Sequence, residues 1–307
     1  MTEQAEHRDT RTDQTRPARA AVYFSNPIMS DTESDWSPIH DAAYNGRLLS
    51  LHNLIGQGAS VNLTTLDGVS PLHGACQQGH TGCVKLLIQH GANVNTSTVN
   101  WNTPLSEACA QGHLACVNLL LQQGASPSAA GNPAFPSPIH TAAARGHTDC
   151  VESLVRYGAD IDQSSDQSGT PLFTACANQQ LTTVRKLLDA GANVNRGKSG
   201  DSPLHIAARL PDPELVKTLL AHGADQTLRN AAGKRALDLA PLNSAVETLL
   251  GPREGPSPLL QLCRLSIRKT LGQDRLREIH SLSIPSELKQ YLLYRSEPWT
   301  NMGDVDS

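Results

Sequence analysis

Histidine and cysteine are the residues of this sequence best suited to bind a metal, since its 307 residues include 12 His and 7 Cys. Structural zinc sites use imidazole nitrogens and thiolates, and their ligands come in closely spaced pairs. Two cysteines separated by two residues, with a matching pair of histidines, do not occur here. Most of these residues instead recur at a regular interval, and we predict no metal site.

Motifs for catalysis are also missing from the sequence. It has no glycine-rich phosphate-binding loop with its lysine, no Gly-x-Ser-x-Gly turn and no His-Glu-x-x-His pair. The acidic residues are spread along the chain, without an isolated pair in an apolar setting that would tune a general acid. We therefore expect a protein that is not an enzyme and needs no cofactor.

Charge and hydropathy argue against two further classes of partner. The 25 Lys and Arg against 29 Asp and Glu give a net charge of −4, whereas non-specific nucleic-acid binding needs a basic field. The apolar runs are far shorter than the roughly 20 residues that span a bilayer. Residues 1–30 lack a signal-peptide core, and the odd number of cysteines favours reduced thiols. We expect a cytoplasmic protein that binds neither nucleic acid nor membrane.

A tetrapeptide of Ser or Thr, Pro, an aliphatic residue and most often His recurs six times along the chain. Its prolines are spaced by 32 to 34 residues, at Pro38, Pro71, Pro104, Pro138, Pro171 and Pro203. Gly-Ala pairs recur in the same phase, from Gly58 to Gly223. Self-similarity at this period predicts a solenoid of stacked repeats.

Each repeat contains signals for two short helices. The Ser or Thr is suited to cap a first helix, with proline at the first helical position and apolar residues one and four places beyond it, such as Leu72 and Ala75. A second helix carries apolar residues seven and four places before the glycine that ends it, such as Val84 and Leu87. A degraded seventh repeat follows, with Leu237 in the phase of a first helix.

These seven units, over residues 35–250, resemble the ankyrin family, which implies an all-α solenoid of helix pairs joined by hairpins. The same phase accounts for nine of the 12 histidines and six of the seven cysteines, which lie at equivalent positions of different repeats. Buried cysteines at such positions pack as small apolar side chains. The connection between the third and fourth repeats is one residue longer than the others and richer in proline.

A different unit begins after Leu250, where a cluster of Pro and Gly predicts a linker. Leu259, Cys263 and Ile267 recur every four residues and therefore share one stripe of a helix, with Leu262 nearby. A helix that packs within the same chain is sufficient to explain this stripe.

The run from Leu259 to Arg268 resembles the elongin-binding box of a SOCS box, and the segment after it resembles that family's cullin box. The resemblance implies that elongin C binds Leu259, Leu262, Cys263 and Ile267. It implies that cullin-5 binds Leu282, Ile284, Pro285, Leu288 and Tyr291, with Ser283 where the family has a proline. We divide the chain into a largely disordered segment at 1–34, the ankyrin repeats at 35–250, a small helical SOCS box at 251–295 and a disordered tail at 296–307.

An ankyrin array followed by a SOCS box resembles the ankyrin repeat and SOCS box family. That resemblance implies the substrate receptor of a ubiquitin ligase made of elongin B, elongin C, cullin-5 and a RING protein, in which the array binds a folded client. Segments such as Ser25–Met29 and Arg253–Pro256 resemble one member in particular, which implies creatine kinase as the client. The alternative is an ankyrin scaffold or inhibitor that binds its partner without ubiquitylation.

Two sets of residues are candidates for client contacts. Trp101 stands at a hairpin position that Gly68 fills in the preceding repeat, where it either packs under the neighbouring hairpin or contacts the client. Tyr23, Phe24 and Ile28 belong to an apolar cluster just before the first repeat. This cluster either caps the first repeat or becomes ordered on the client.

Overall fold

The computed structural model describes residues 35–128, 132, 134–251, 266–267, 270, 279–281 and 283–292. Within these ranges the regular secondary structure is helical, and the loops contain two isolated β-bridges, Ser165 with Gly169 and Lys198 with Asp201. The predicted all-α repeat fold is confirmed. No helix in the described ranges is long and apolar enough to cross a membrane.

The helices come in pairs, one pair to each repeat. In chain order they are α1 (Pro38–Tyr44), α2 (Leu48–Gly56), α3 (Pro71–Gln77), α4 (Thr81–Gln89), α5 (Pro104–Gln111), α6 (Leu114–Gln122), α7 (Pro138–Arg145), α8 (Thr148–Arg156), α9 (Pro171–Ala177), α10 (Leu181–Asp189), α11 (Pro203–Ala208), α12 (Pro213–Ala221), α13 (Ala245–Leu250) and α14 (Ser286–Leu292). Six segments join successive repeats, and we call them the first to sixth hairpins: residues 57–70, 90–103, 123–137 (of which 123–128, 132 and 134–137 are described), 157–170, 190–202 and 222–236.

The first helix of each of the first six repeats begins at the proline of the tetrapeptide, as predicted. The Ser or Thr before this proline has an extended backbone, and its side chain faces the N-terminal end of the helix. In α5, the Ser106 backbone N–H donates to the Thr103 hydroxyl at 3.1 Å. In return, the Thr103 backbone N–H donates to the Ser106 hydroxyl at 2.8 Å. This reciprocal cap satisfies backbone groups that a helix end would leave unpaired.

The second helices of the first six repeats end two residues before the predicted glycines. After α2, Gly58 has a φ of 90° and donates to the Ile55 carbonyl at 2.9 Å, while Ala59 donates to the Leu54 carbonyl at 3.0 Å. Glycine adopts this left-handed conformation at little cost, and the two bonds satisfy the last carbonyls of the helix.

The core runs continuously through the array, between first and second helices and between neighbouring repeats. The predicted apolar positions form it, and most of those in the middle repeats have no exposed surface: Leu72, Ala75, Val84, Leu87, Leu105, Ala108, Val117, Leu120, Ile139, Ala142, Leu154, Leu172, Ala175, Val184 and Leu187. Each repeat buries its apolar surface against its neighbours, as a solenoid requires.

The seventh repeat is reduced. Its first helix is only a single 3-10 turn, Leu237–Leu239, followed by extended backbone at Ala240. Pro241 comes next, and the residue before a proline is disfavoured in helical conformation. The second helix, α13, is present and buries Val246 and Leu250. The array therefore closes on a shortened final unit.

Candidate functional site

The tetrapeptide histidines connect each repeat to the hairpin that follows it. In His40, His73, His140 and His205, Nε2 lies 3.0, 3.1, 2.9 and 3.0 Å from the carbonyl oxygens of Val69, Asn102, Gly169 and Lys234. Because a carbonyl oxygen only accepts, Nε2 carries the proton and donates it. The Nδ1 atom is then free to accept, and in His73 it receives the Ser70 backbone N–H at 3.1 Å.

Burial favours the neutral form of three of these histidines, His40, His73 and His140. It lowers the pKa values of His40 and His140, and it lowers the pKa of His73 to about 4. These side chains therefore serve as neutral cross-links between repeats.

The six cysteines of the repeats are buried. Burial raises the pKa of the Cys150 thiol to about 11 and raises those of Cys76 and Cys109 well above the usual value. A protonated buried thiol is neither a good nucleophile nor a metal ligand. In the described ranges, no group of three or more His, Cys, Asp or Glu side chains is arranged to hold a metal ion.

Trp101 lies on the surface of the second hairpin in a strained conformation. Its φ is 63°, close to the 78° of Gly68 at the equivalent position of the first hairpin. A left-handed backbone costs a non-glycine residue roughly 1–2 kcal/mol. The Trp101 side chain is 37% exposed. A bulky residue held in such a conformation on a surface is a candidate for function.

Four hydrogen bonds around Trp101 hold the second hairpin in this shape. Trp101 donates its backbone N–H to the Thr98 carbonyl at 2.9 Å, and Thr98 donates to the Asn102 carbonyl at 2.9 Å. The Asn102 N–H donates to the Thr98 hydroxyl at 3.1 Å, while His73 donates to the Asn102 carbonyl. The strain at Trp101 is thus outweighed by its surroundings.

Glu107 is a further support of the second hairpin. It is only 8% exposed, and burial raises its pKa, while a hydrogen bond with the Asn102 side chain acts in the opposite direction. A buried carboxyl is costly, so its bond to the residue next to Trp101 indicates a positioning role for Glu107. This role was not predicted from the sequence, because Glu107 has the spacing of an ordinary helical residue.

Phe135 of the third hairpin contacts Trp101. Their ring centroids are 6.3 Å apart, with an angle of 34° between the planes. Phe135 stands two residues before the cap Ser137, as Trp101 stands two residues before the cap Thr103. Phe135 was not predicted from the sequence, although counting back from Ser137 identifies it. Trp101 is therefore neither fully buried under the third hairpin nor isolated from it.

Two exposed aliphatic side chains extend this aromatic pair along the hairpins. Leu66 is 87% exposed and Val99 is 59% exposed, and each stands four residues before its cap. The Val99 N–H donates to the Asp67 carbonyl at 2.9 Å, which joins the first two hairpins. We call Leu66, Val99, Trp101 and Phe135 the apolar hairpin patch. Exposed apolar side chains on neighbouring surface loops are typical of a protein interaction site.

The predicted elongin- and cullin-binding residues are described only in part. Ile267 is in a helical segment and is 40% exposed. Leu288 is in α14 and is also 40% exposed, while Pro285 is exposed immediately before that helix and Ile284 is partly buried. Tyr291 belongs to α14.

The remaining predicted site residues lie outside the described ranges. They are Leu259, Leu262, Cys263 and Leu282 of the predicted SOCS box and Tyr23, Phe24 and Ile28 of the N-terminal segment.

Comparison with known proteins defines the class of protein. Family models for ankyrin repeats match residues 39–131, 129–198 and 199–231, and the SOCS box model matches residues 255–293. The chain is thus an ankyrin-repeat protein with a C-terminal SOCS box.

The chain is 63% identical to ankyrin repeat and SOCS box protein 9 of Homo sapiens, over 88% of this chain and 92% of that protein. It is 53% identical to ankyrin repeat and SOCS box protein 11 of Homo sapiens, over 87% of this chain and 82% of that protein. The chain belongs to the ankyrin repeat and SOCS box family.

Solved structures agree with this assignment. The crystal structure of the human ASB11 ankyrin repeat domain is similar to this one with a TM-score of 0.68 and 48% sequence identity. The similarity covers 72% of this chain and 100% of that chain. The ankyrin repeat domain of Bcl-3 covers 70% of this chain with 31% identity and a TM-score of 0.60.

Proposed function

We propose that this protein is the substrate receptor of a ubiquitin ligase that contains elongin B, elongin C, cullin-5 and a RING protein. The observation that carries the proposal is the presence of a SOCS box directly after an ankyrin array in one chain, as in the relatives described above. The array binds a folded client, and the SOCS box docks the ligase. The client is then ubiquitylated and degraded by the proteasome.

The chain contributes proximity to the reaction. A client held on the array is close to the conjugating enzyme that the RING protein recruits, so its lysines react at a high effective concentration. No residue of this chain needs to contact the reacting thioester. The buried thiols and neutral histidines of the repeats are consistent with a role in stability.

The proposed docking residues for elongin C are Leu259, Leu262, Cys263 and Ile267. Those for cullin-5 are Leu282, Ile284, Pro285, Leu288 and Tyr291. The exposure of Ile267 and Leu288 supports this, because an apolar side chain that binds a partner is exposed in the free chain.

The proposed client surface is the apolar hairpin patch, with Trp101 at its centre. A large aromatic residue next to other apolar side chains is the usual composition of a binding hot spot. Tyr23, Phe24 and Ile28, which lie outside the described ranges, are proposed as further client contacts. The client we propose is creatine kinase, bound in the cytoplasm, on the strength of the 63% identity to ankyrin repeat and SOCS box protein 9.

Elongin binding tests this proposal. Replacing Leu259 by Pro and Cys263 by Phe breaks the docking helix and overfills the position of the thiol, so elongins B and C should no longer co-purify with the chain. Gln261→Ala, at a position off the Leu259 stripe, should leave elongin binding unchanged. Both variants should keep the thermal melting profile of the repeats.

The same variants separate a ligase receptor from a scaffold. In a reconstituted ligase, the wild-type chain should promote ubiquitylation of creatine kinase, and the Leu259/Cys263 variant should bind creatine kinase without ubiquitylation. Retained elongins in that variant contradict the docking proposal. Client binding without ubiquitylation by the wild-type chain supports a scaffold or inhibitor instead.

A further inference from the structure

The fifth and sixth hairpins carry a cluster of cations that the mechanism above does not use. Arg196, Arg229 and Lys234 are exposed and Lys198 is partly exposed, and we call these four residues the basic hairpin patch. None of the four lies within 4 Å of a described acidic side chain. Arg235, the remaining cation of the sixth hairpin, differs because it forms a salt bridge with Asp238, as Arg47 and Arg209 do with Asp41 and Asp201.

The contacts of the basic hairpin patch do not neutralise its charge. Arg229 donates to the Gly233 carbonyl at 2.7 Å, and Lys198 donates to the Gln167 carbonyl. A carbonyl oxygen satisfies a donor but carries no net charge. Four positive charges thus remain on two neighbouring hairpins of a chain whose net charge is −4.

The acidic residues of these hairpins have other partners. Asp201 accepts from Arg209 at 2.9 Å and from the Asn230 side chain at 2.8 Å. Asp225 accepts from the Thr227 N–H at 2.8 Å and from its hydroxyl at 2.7 Å. Asp201 is thus already paired, and Asp225 is held by the turn of its own hairpin.

The basic hairpin patch lies on the same edge of the array as the apolar hairpin patch. Trp101 is in the second hairpin and Lys198 in the fifth, and neighbouring helix layers are about 8–10 Å apart, so about 25–30 Å separate the two patches. A client of ordinary domain size that covers Trp101 also reaches the cations.

We propose that the basic hairpin patch binds an acidic surface of the same client that contacts Trp101. This inference rests on the proposed function and specifies the chemistry of the client. Exposed charges act mainly on the rate of association and on specificity. The apolar hairpin patch then sets the lifetime of the complex, and the cations set how fast it forms.

The neighbouring hairpin favours a protein partner over a nucleic acid. Residues 157–169 contain Asp160, Asp162 and Asp166 and no cation. A nucleic-acid strand, negative along its whole length, would be repelled where it crossed this fourth hairpin. A folded protein presents charges of both signs and avoids that repulsion.

Association kinetics with creatine kinase test the inference in the full chain. The variant Arg196→Gln/Lys198→Gln/Arg229→Gln should associate about 10-fold more slowly at 50 mM salt, with a smaller difference at 300 mM, because salt screens exposed charges. Lys85→Gln/Arg156→Gln/Arg185→Gln removes the same charge from the exposed surfaces of α4, α8 and α10 and should leave the rate unchanged. Equal slowing in both variants, or in neither, would overturn the inference.

A probe that does not depend on the client separates this inference from the proposed function. A 12-residue oligoglutamate peptide should bind the wild-type chain at 20 mM salt. It should bind the variant Arg196→Gln/Lys234→Gln about 10-fold less tightly. The two replaced side chains make no described hydrogen bond. Failure of creatine kinase to bind, with the peptide result intact, contradicts only the client assignment. Binding of a 12-nucleotide single strand in place of the peptide, or self-association that the substitutions abolish, would assign the patch to another partner and overturn the inference.

Discussion

The helical layers of the array repeat closely from one unit to the next, whereas the hairpins change character along the chain. Leu72, Leu105 and Leu172 occupy the same position of three first helices, and all are fully buried. Four residues before the caps, in contrast, the first, second, fourth and fifth hairpins have Leu66, Val99, Asp166 and Lys198. Uniform helices stabilise the solenoid, and variable hairpins allow one scaffold to carry different recognition chemistry.

Charge follows the same division along the hairpins. The first three hairpins contain a single charged residue, Asp67. The fourth has three acids, and the fifth and sixth together have five cations and two acids. The apolar and basic hairpin patches are therefore separate parts of one edge, while the core beneath them continues from the first repeat to the last.

Truncation of a core leucine should have the largest effect on stability. Leu120 is fully buried in α6, and Leu120→Ala should lower the free energy of unfolding by about 3 kcal/mol, since it removes buried apolar contacts and leaves a cavity. Leu66→Ala, at an 87% exposed hairpin position, should change it by less than about 0.5 kcal/mol. Urea denaturation measures both. Similar losses in the two variants would contradict the division between helices and hairpins.

Acidification should have a smaller, graded effect through the buried histidines. Burial lowers the folded-state pKa of His40, His73 and His140, so below about pH 6.5 the unfolded chain binds protons that the folded chain does not. Their stabilising contribution is complete above that pH and is lost as the pH falls towards 4. The free energy of unfolding should therefore decrease over this range.

His73→Ser tests the origin of this pH dependence. Repeat three already has Ser106 at the equivalent position, where it keeps the helix cap without an imidazole. Between about pH 6.5 and 4, the slope of the free energy of unfolding against pH should decrease in this variant. The decrease should correspond to at most one bound proton. An unchanged slope would show that His73 does not contribute.

Positions fixed by local chemistry were predictable from the sequence. Caps such as Thr103 and Ser70, and the glycine that ends α2, follow from backbone groups that neighbouring residues must satisfy. The position of Trp101 was likewise found by counting back from its cap. These features repeat at a fixed interval, so each copy supports the assignment of the others.

Features that depend on several repeats were not predictable in the same way. The contact between Trp101 and Phe135 joins two hairpins, and the spacing within a single repeat does not reveal it. Glu107 gains its role from burial, which the spacing of residues does not reveal. The seventh repeat has the apolar phase of a first helix, yet Pro241 limits it to one turn.

The most direct test of the division between helical core and recognition edge compares two variants of one residue, Trp101→Ala and Trp101→Gly. Glycine accepts the φ of 63° that strains alanine, so the glycine variant should be more stable than the alanine variant by about 1 kcal/mol. Both remove the same aromatic side chain. Each should weaken binding of creatine kinase by at least about 2 kcal/mol, roughly 30-fold, and by the same amount.

Isothermal titration of the client, with thermal melting of the same samples, makes this measurement. If Trp101 contacts the client, both variants lose affinity equally and strongly although their stabilities differ. Unchanged affinity in both variants, or an affinity loss that parallels the loss of stability, would contradict client contact by Trp101. Trp101 would then have a structural role only.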